Sequence, residues 1–165
     1  MRSTALTTAA LLFVGWCAAC QPGPIKDADI QAFATTANLQ TQDCSTMVNK
    51  AWQASADKDY PALFAYTQEC VRRHGEEAKQ MNDALGGFAP DDEAAKHWAL
   101  NDVGTALFIM GHAYADLGMH QEAAQTFQTL ADDYQWTQCW DPKGWYWHPA
   151  QGAADKALKH RHLAR

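Results

Sequence analysis

The chain is expected to be an all-α fold built from helical hairpins. Helix-forming residues dominate 27–134, and β-branched runs with a period of two are absent. Turn signals at Lys58-Asp-Tyr60, at Gly86-Gly-Phe-Ala-Pro-Asp-Asp92 and at Gly118 divide this stretch into helix-length pieces. About 140 residues beyond the N-terminal segment are enough for one domain with its own core.

The first element is a leader. One positive charge at Arg2 is followed by the uncharged stretch Leu-Thr-Thr-Ala-Ala-Leu-Leu-Phe-Val-Gly-Trp-Cys-Ala-Ala-Cys, ending at Cys20. A basic start and a short apolar run are the pattern of a secretory signal over 1–19. The run is shorter than the roughly 20 apolar residues of a membrane span. Cys17-Ala-Ala-Cys20 resembles a bacterial lipobox, with Cys17 where an aliphatic residue usually stands. The resemblance implies cleavage before Cys20 and lipid on its sulfur; the alternative is cleavage near Ala18 or Ala19 and a soluble secreted product. Residues 20–26, with Gln21-Pro-Gly-Pro24, then form a tether rather than a helix. Acyl chains on Cys20 would hold the protein on a membrane, and Gln21 after the lipid site suggests the outer membrane of a two-membrane cell.

Charge narrows the partners. The formal net charge of −6 becomes −7 once residues 1–19 and their single arginine are removed. An acidic surface disfavours nucleic acid and anionic headgroups.

The domain proper is 27–165. Residues 27–40 are expected to form an N-terminal helix, 43–57 and 60–74 an antiparallel pair, and 75–85 a prolongation of the second helix. After the breaker at 86–92, Asp91 or Asp92 would cap a helix running through His97 and Leu107. The segment 107–134, LFIMGHAYADLGMHQEAAQTFQTLADDY, then supplies the clearest pattern. Leu107, Met110, Gly111 and Tyr114 are spaced as in the first helix of a tetratricopeptide repeat, Gly118 falls at the turn, and Ala123 and Phe127 follow the second-helix pattern. The segment therefore resembles that family, with Gln135 where a closing proline is usual. The spacing has a physical reason. Gly111 lets two helices approach, Tyr114 and Phe127 fill the space between them, and Gly118 ends the first. A weaker copy at 51–70 lies 60 residues upstream, against a repeat of about 34 in tandem arrays. The expectation is a short, divergent TPR-like solenoid with repeat units near 43–74 and 100–134. The segment 136–163, including a helix from Ala150 to His162, would cover its exposed end.

Three cysteines remain beside a lipidated Cys20, so at most one internal disulfide can form. Cys44 and Cys70 are 14 and 12 residues from the turn after Lys58, which could make them neighbours across the first hairpin. Cys44–Cys139 stays open as the alternative.

No catalytic motif is present, whether a nucleophile elbow, a zinc-protease helix or a phosphate loop. Cys139 and His148 offer a thiol and a base without any spacing that aligns them, and Asp91-Asp92 and Asp132-Asp133 read as helix ends. His97, His112, Asp116 and His120 have metal-ligating side chains, but Gly118 interrupts their helix before His120. Neither a metal nor another cofactor is expected, and the chain reads as non-enzymatic.

Two binding surfaces remain. Resemblance to the repeat family implies a groove lined by the first helix of each pair, with Asn49, Gln53, Asn101, Thr105 and His112 as its candidate residues, holding a peptide or another envelope protein. The second is QCWDPKGWYWHP, 138–149, where Asp141-Pro-Lys-Gly144 is a turn. Trp136 and Trp140 enter that turn, Trp145 and Trp147 leave it, and Asp141 and His148 could donate or accept hydrogen bonds. Either these rings fold back over Phe127 and Tyr134 as an apolar plug, or they form a stacking platform for a glycan such as peptidoglycan. A small envelope hydrolase is the remaining alternative.

Overall fold

A computed structural model describes residues 25–165; the leader, Cys20 and most of the tether lie outside the described residues. The order is α1 (Asp27–Thr36), a 3-10 turn (Leu39–Thr41), α2 (Cys44–Asp57), α3 (Tyr60–Asp83), a second 3-10 turn (Ala94–His97), α4 (Trp98–Asp116), α5 (His120–Asp133), β1 (Cys139–Asp141), β2 (Trp145–Trp147) and α6 (Ala153–Leu163). The described chain is mostly helical, as its composition predicts.

Local chemistry sets most of these ends. The Asp43 carboxylate accepts the Thr46 amide proton at 2.7 Å and starts α2. Lys58 turns left-handed at φ 59°, and Asp59 accepts from the Ala62 amide to start α3 immediately. The long second helix of the first pair is confirmed: α3 runs unbroken through the prolongation at 75–83. Gly118, at φ 72°, makes the turn between α4 and α5, where a side chain would be strained.

Successive helices pack against one another from α2 to α6, and α2 also touches α4. The core runs through their contact faces, with Met47, Leu63, Phe64, Leu100, Val103, Ile109, Phe127 and Leu130 fully buried. At Gly111 the Phe127 ring of α5 packs directly on the α4 backbone: a Cβ there would sit 2.8 Å from Phe127 Cε1. A disulfide joins Cys44 to Cys70 across α2 and α3, with Cα atoms 5.1 Å apart, and leaves Cys139 as a thiol.

Several boundaries differ from the sequence expectation. The N-terminal helix ends at Thr36, because Asn38 turns left-handed at φ 47° and the chain resumes as a 3-10 turn. Neither Asp91 nor Asp92 caps α4. The Glu93 and Ala94 amides donate instead to the Pro90 carbonyl, and the following 3-10 turn feeds into α4 through His97. The C-terminal helix begins at Ala153, not at Ala150, after Gly152 turns left-handed at φ 74°. The aromatic turn is a two-stranded antiparallel hairpin, pairing Cys139 with Trp147, Trp140 with Tyr146 and Asp141 with Trp145. Asp141 Oδ1 accepts from the Lys143 amide, and Gly144 adopts φ 104°, so the expected turn chemistry closes the hairpin.

Candidate functional site: an aromatic cleft between α2, α4 and the hairpin

Side-chain amides hold the segment leading into the hairpin against α3, α4 and the loop between them. Asn101 accepts the Gln138 amide proton on Oδ1 at 2.8 Å and donates from Nδ2 to the Ala94 carbonyl at 2.8 Å. The Gln138 side chain pairs with both backbone groups of Ala89, at 2.8 and 3.0 Å. Asn82 Oδ1 accepts from the Trp136 amide at 3.1 Å. Thr137 sits over Gly104, where a Cβ would come within 2.7 Å of the threonine Cβ. The hairpin therefore has a fixed seat on α4.

From that seat it faces α2. Trp147 packs on Phe108 of α4, with ring centroids 5.2 Å apart, and on Trp52 of α2 at 6.4 Å. Among the described residues none of these tryptophans pairs its ring with Phe127 or Tyr134, as the expected plug would require. Phe127 packs instead on His112 and His160, and the Tyr134 hydroxyl donates to the Gly75 carbonyl. Trp136 and His148 both pack on Phe88, at 5.3 and 3.9 Å. Trp140 and Trp145 are 59% and 50% exposed, so they are not a plug at all.

Between these elements lies an open cleft of about 440 Å³. Asn49 and Trp52 of α2 line one side, Trp98 and Asp102 of α4 the floor, and Trp140, Tyr146 and Trp147 the hairpin side. Two surfaces that the sequence presents separately thus meet. Asn49, Asn101 and Thr105 from the expected groove and Trp140 and Trp147 from the expected aromatic platform line one cavity.

Their roles differ. Asn101 and Thr105 are positioning residues: Asn101 holds the hairpin, and Thr105 donates to the Asn101 carbonyl while touching the Cys139 sulfur. Asn49 is exposed on α2 and presents its amide to the cleft. Gln53 and His112 do not line it. Gln53 bonds Asp57 on its own helix, and His112 packs between Phe108 and Phe127. Asp141 turns to the hairpin loop, and Trp145 lies beside Lys143, outside the cleft.

The sequence reading missed Trp52, Trp98 and Asp102. Their signal was a spacing: Ser45, Asn49 and Trp52 on α2, and Trp98, Asp102 and Thr105 on α4, each stand at i, i+4 and i+7. Such a spacing marks one helix face, and a face carrying an exposed tryptophan is seldom only core. Asp102 is the charged group of the cleft. Burial, reinforced by the Asp43 carboxylate, raises its pKa from 3.8 to about 6.

The other sequence candidates are dispersed. Cys139 Sγ contacts Thr105 and the Asn101 carbonyl while His148 lies on Phe88, and burial pushes the thiol up to about 12, far from a reactive thiolate. Asp116 pairs with Lys58 at 2.8 Å, whereas His120 faces His160 with Nδ1 atoms 3.2 Å apart. Among the described residues no group of three or more His, Cys, Asp or Glu is placed to hold a metal, and no helix is long and apolar enough to cross a membrane.

Compared with known proteins, the chain matches no family model, and neither curated proteins nor solved structures give a significant match.

Proposed function

We propose that this chain is a non-enzymatic, TPR-like lipoprotein of the bacterial cell envelope that binds a segment of another envelope protein in the cleft between α2, α4 and the hairpin. The observation that carries the reading is the convergence of two independently suspected surfaces on one open, aromatic, rigidly seated cavity. A cavity of this volume, walled by aromatic rings and set with polar side chains such as Asn49 and Asp102, has the size of a binding site.

The repeat-like reading draws support from the geometry of the two pairs. Lys58 and Gly118 are both left-handed turn residues, and the Lys58–Asp116 ion pair ties the end of α2 to the end of α4, as in stacked hairpins. The envelope assignment rests on the leader pattern of residues 1–20. The Cys44–Cys70 bridge agrees with an oxidising compartment.

Site-specific photo-crosslinking in cells tests this function. A photoreactive residue at Asn49, in the cleft, should capture one defined envelope protein that the same residue at Gln125, exposed on α5, does not. Equal capture at both positions, or none at Asn49, would reject the cleft as the docking site.

A second reading has its own observation: Trp140 and Trp145 stand in solvent on the hairpin, as glycan-stacking rings do. Acrylamide quenching of single-tryptophan variants decides it. Peptidoglycan fragments should shield both indoles if glycan is the ligand and neither if it is not.

A further inference from the structure

We infer that the cleft receives an organic cation, the side chain of an arginine or lysine on the bound segment, with Asp102 as its counter-ion and the surrounding indoles as its walls. The inference rests on the peptide-binding reading above and names the anchor of the ligand.

Three observations point the same way. The cavity holds one carboxylate and, among its lining residues, no lysine, arginine or histidine. The nearby Lys96 is already paired with Glu93 at 2.9 Å. Second, no side-chain hydrogen bond or ion pair to Asp102 is found among the described residues, although it is partly withdrawn from water on a helix otherwise occupied with packing. A carboxylate in that setting is stabilised by whatever positive charge arrives, and an anionic ligand would be repelled. Third, Trp52, Trp98, Trp140 and Trp147 surround the same space, and indole faces attract cations. The surface already uses this attraction, with Lys143 5.9 Å from the Trp145 ring and Lys50 5.6 Å from that of Tyr66. A neutral sugar would be served by the rings but would leave the carboxylate uncompensated. A guanidinium or ammonium group answers both.

The ionisable groups around Asp102 are Asp43 ahead of α2, the Cys139 thiol on β1 and the Tyr146 phenol on β2. Asp43 is held below the ordinary carboxylate range by the Thr46 amide, and Cys139 lies near 12, so neither changes charge between pH 5 and 7.5. As the pH falls through that window Asp102 gains a proton while Asp43 and Cys139 keep their charge states, and cation binding should weaken.

Calorimetric titration of the full-length protein tests the inference with three acetylated, amidated pentapeptides: one central arginine, lysine or citrulline among glycines. Citrulline keeps the shape of arginine and removes its charge. At pH 7.5 and low salt the arginine peptide should bind at least tenfold more tightly than the citrulline peptide. Asp102→Asn should lower its affinity at least tenfold, and the wild type should bind it at least threefold less tightly at pH 5. Asn49→Lys, a change on the exposed rim, should abolish binding with α2 intact and serves if Asp102→Asn disturbs the fold. Equal affinity for arginine and citrulline, indifference to both substitutions, or no binding of either basic peptide up to millimolar concentration would each overturn the cation assignment. The outcome at Asn49 in the crosslinking experiment then decides separately whether the cleft binds a partner at all.

Discussion

Asp102 is the residue at which stability and binding are set against each other. Its carboxyl ionises near 6 in the fold and near 3.8 in the open chain. Between those values the folded state keeps a proton that the unfolded state has released, so this group's contribution to stability falls as pH rises from about 4 to 6. The difference amounts to up to ~3 kcal/mol, which partial hydration of the cleft lowers to ~1–2 kcal/mol. Asp102→Asn should therefore raise the melting temperature at pH 7.5 and leave it unchanged at pH 4; thermal denaturation at the two pH values checks this. Stabilisation by removal of a charge is the behaviour of a group kept for a ligand rather than for the fold. Gly111 shows the opposite case. A Cβ there would press on the Phe127 ring, and Gly111→Ala should cost about 1–3 kcal/mol in urea unfolding. That contact was legible in the sequence, because glycine and phenylalanine 16 residues apart carry the geometry of one helix pair. The importance of Asp102 was not, since a carboxyl near the start of a helix looks the same in sequence whether it faces water or a cleft.

At the scale of elements, the α2–α3 hairpin and the β-hairpin contrast. The first has a two-residue turn, an aspartate cap at each helix start and the Cys44–Cys70 bridge. Removing that bridge by Cys44→Ser and Cys70→Ser together should cost about 2–4 kcal/mol, read as a lowered melting midpoint that a reductant no longer shifts. Counting residues from the turn made the two cysteines candidate neighbours but left Cys139 open as the partner of Cys44, a choice that the packing of α2 on α3 decides. The β-hairpin was legible only as a turn: Asp141-Pro-Lys-Gly144 is local chemistry, whereas three-residue strands carry too little alternation to be read. Its seat was hidden too, because it depends on Asn82, Gln138 and Asn101, far apart in the chain and indistinguishable from surface amides. Gly104 is the most sensitive point of that seat. Gly104→Ala would drive Thr137 off α4 and tilt the hairpin, and amide exchange at Gln138 and Cys139 should accelerate far more than exchange in α2. The start of α4 misled for a related reason: Asp91 and Asp92 look like caps, but Pro90 collects the amides that a cap would have satisfied.

For the whole molecule, the helical class followed from composition, and the order of the helices from the turn signals between them. The cleft did not, because its walls come from α2, from α4 and from a hairpin that begins at Cys139, far along the chain from α2, which ends at Asp57. Only packing brings Trp52 against Trp147. The acidic balance of the chain and the single carboxylate of the cleft share a sign, so a basic ligand would be drawn to the surface and then to the cavity. Indole N–H signals of the tryptophans offer the most direct test that this cavity is the binding site. They can be followed by nitrogen–proton correlation spectra of the full-length protein as the arginine pentapeptide is added. Trp52, Trp98, Trp140 and Trp147 should shift together along one saturable curve, with Trp136 and Trp145 unmoved. Shifts confined to Trp145 or Trp136, or no shift of the four at saturating peptide, would contradict a site built jointly by α2, α4 and the hairpin.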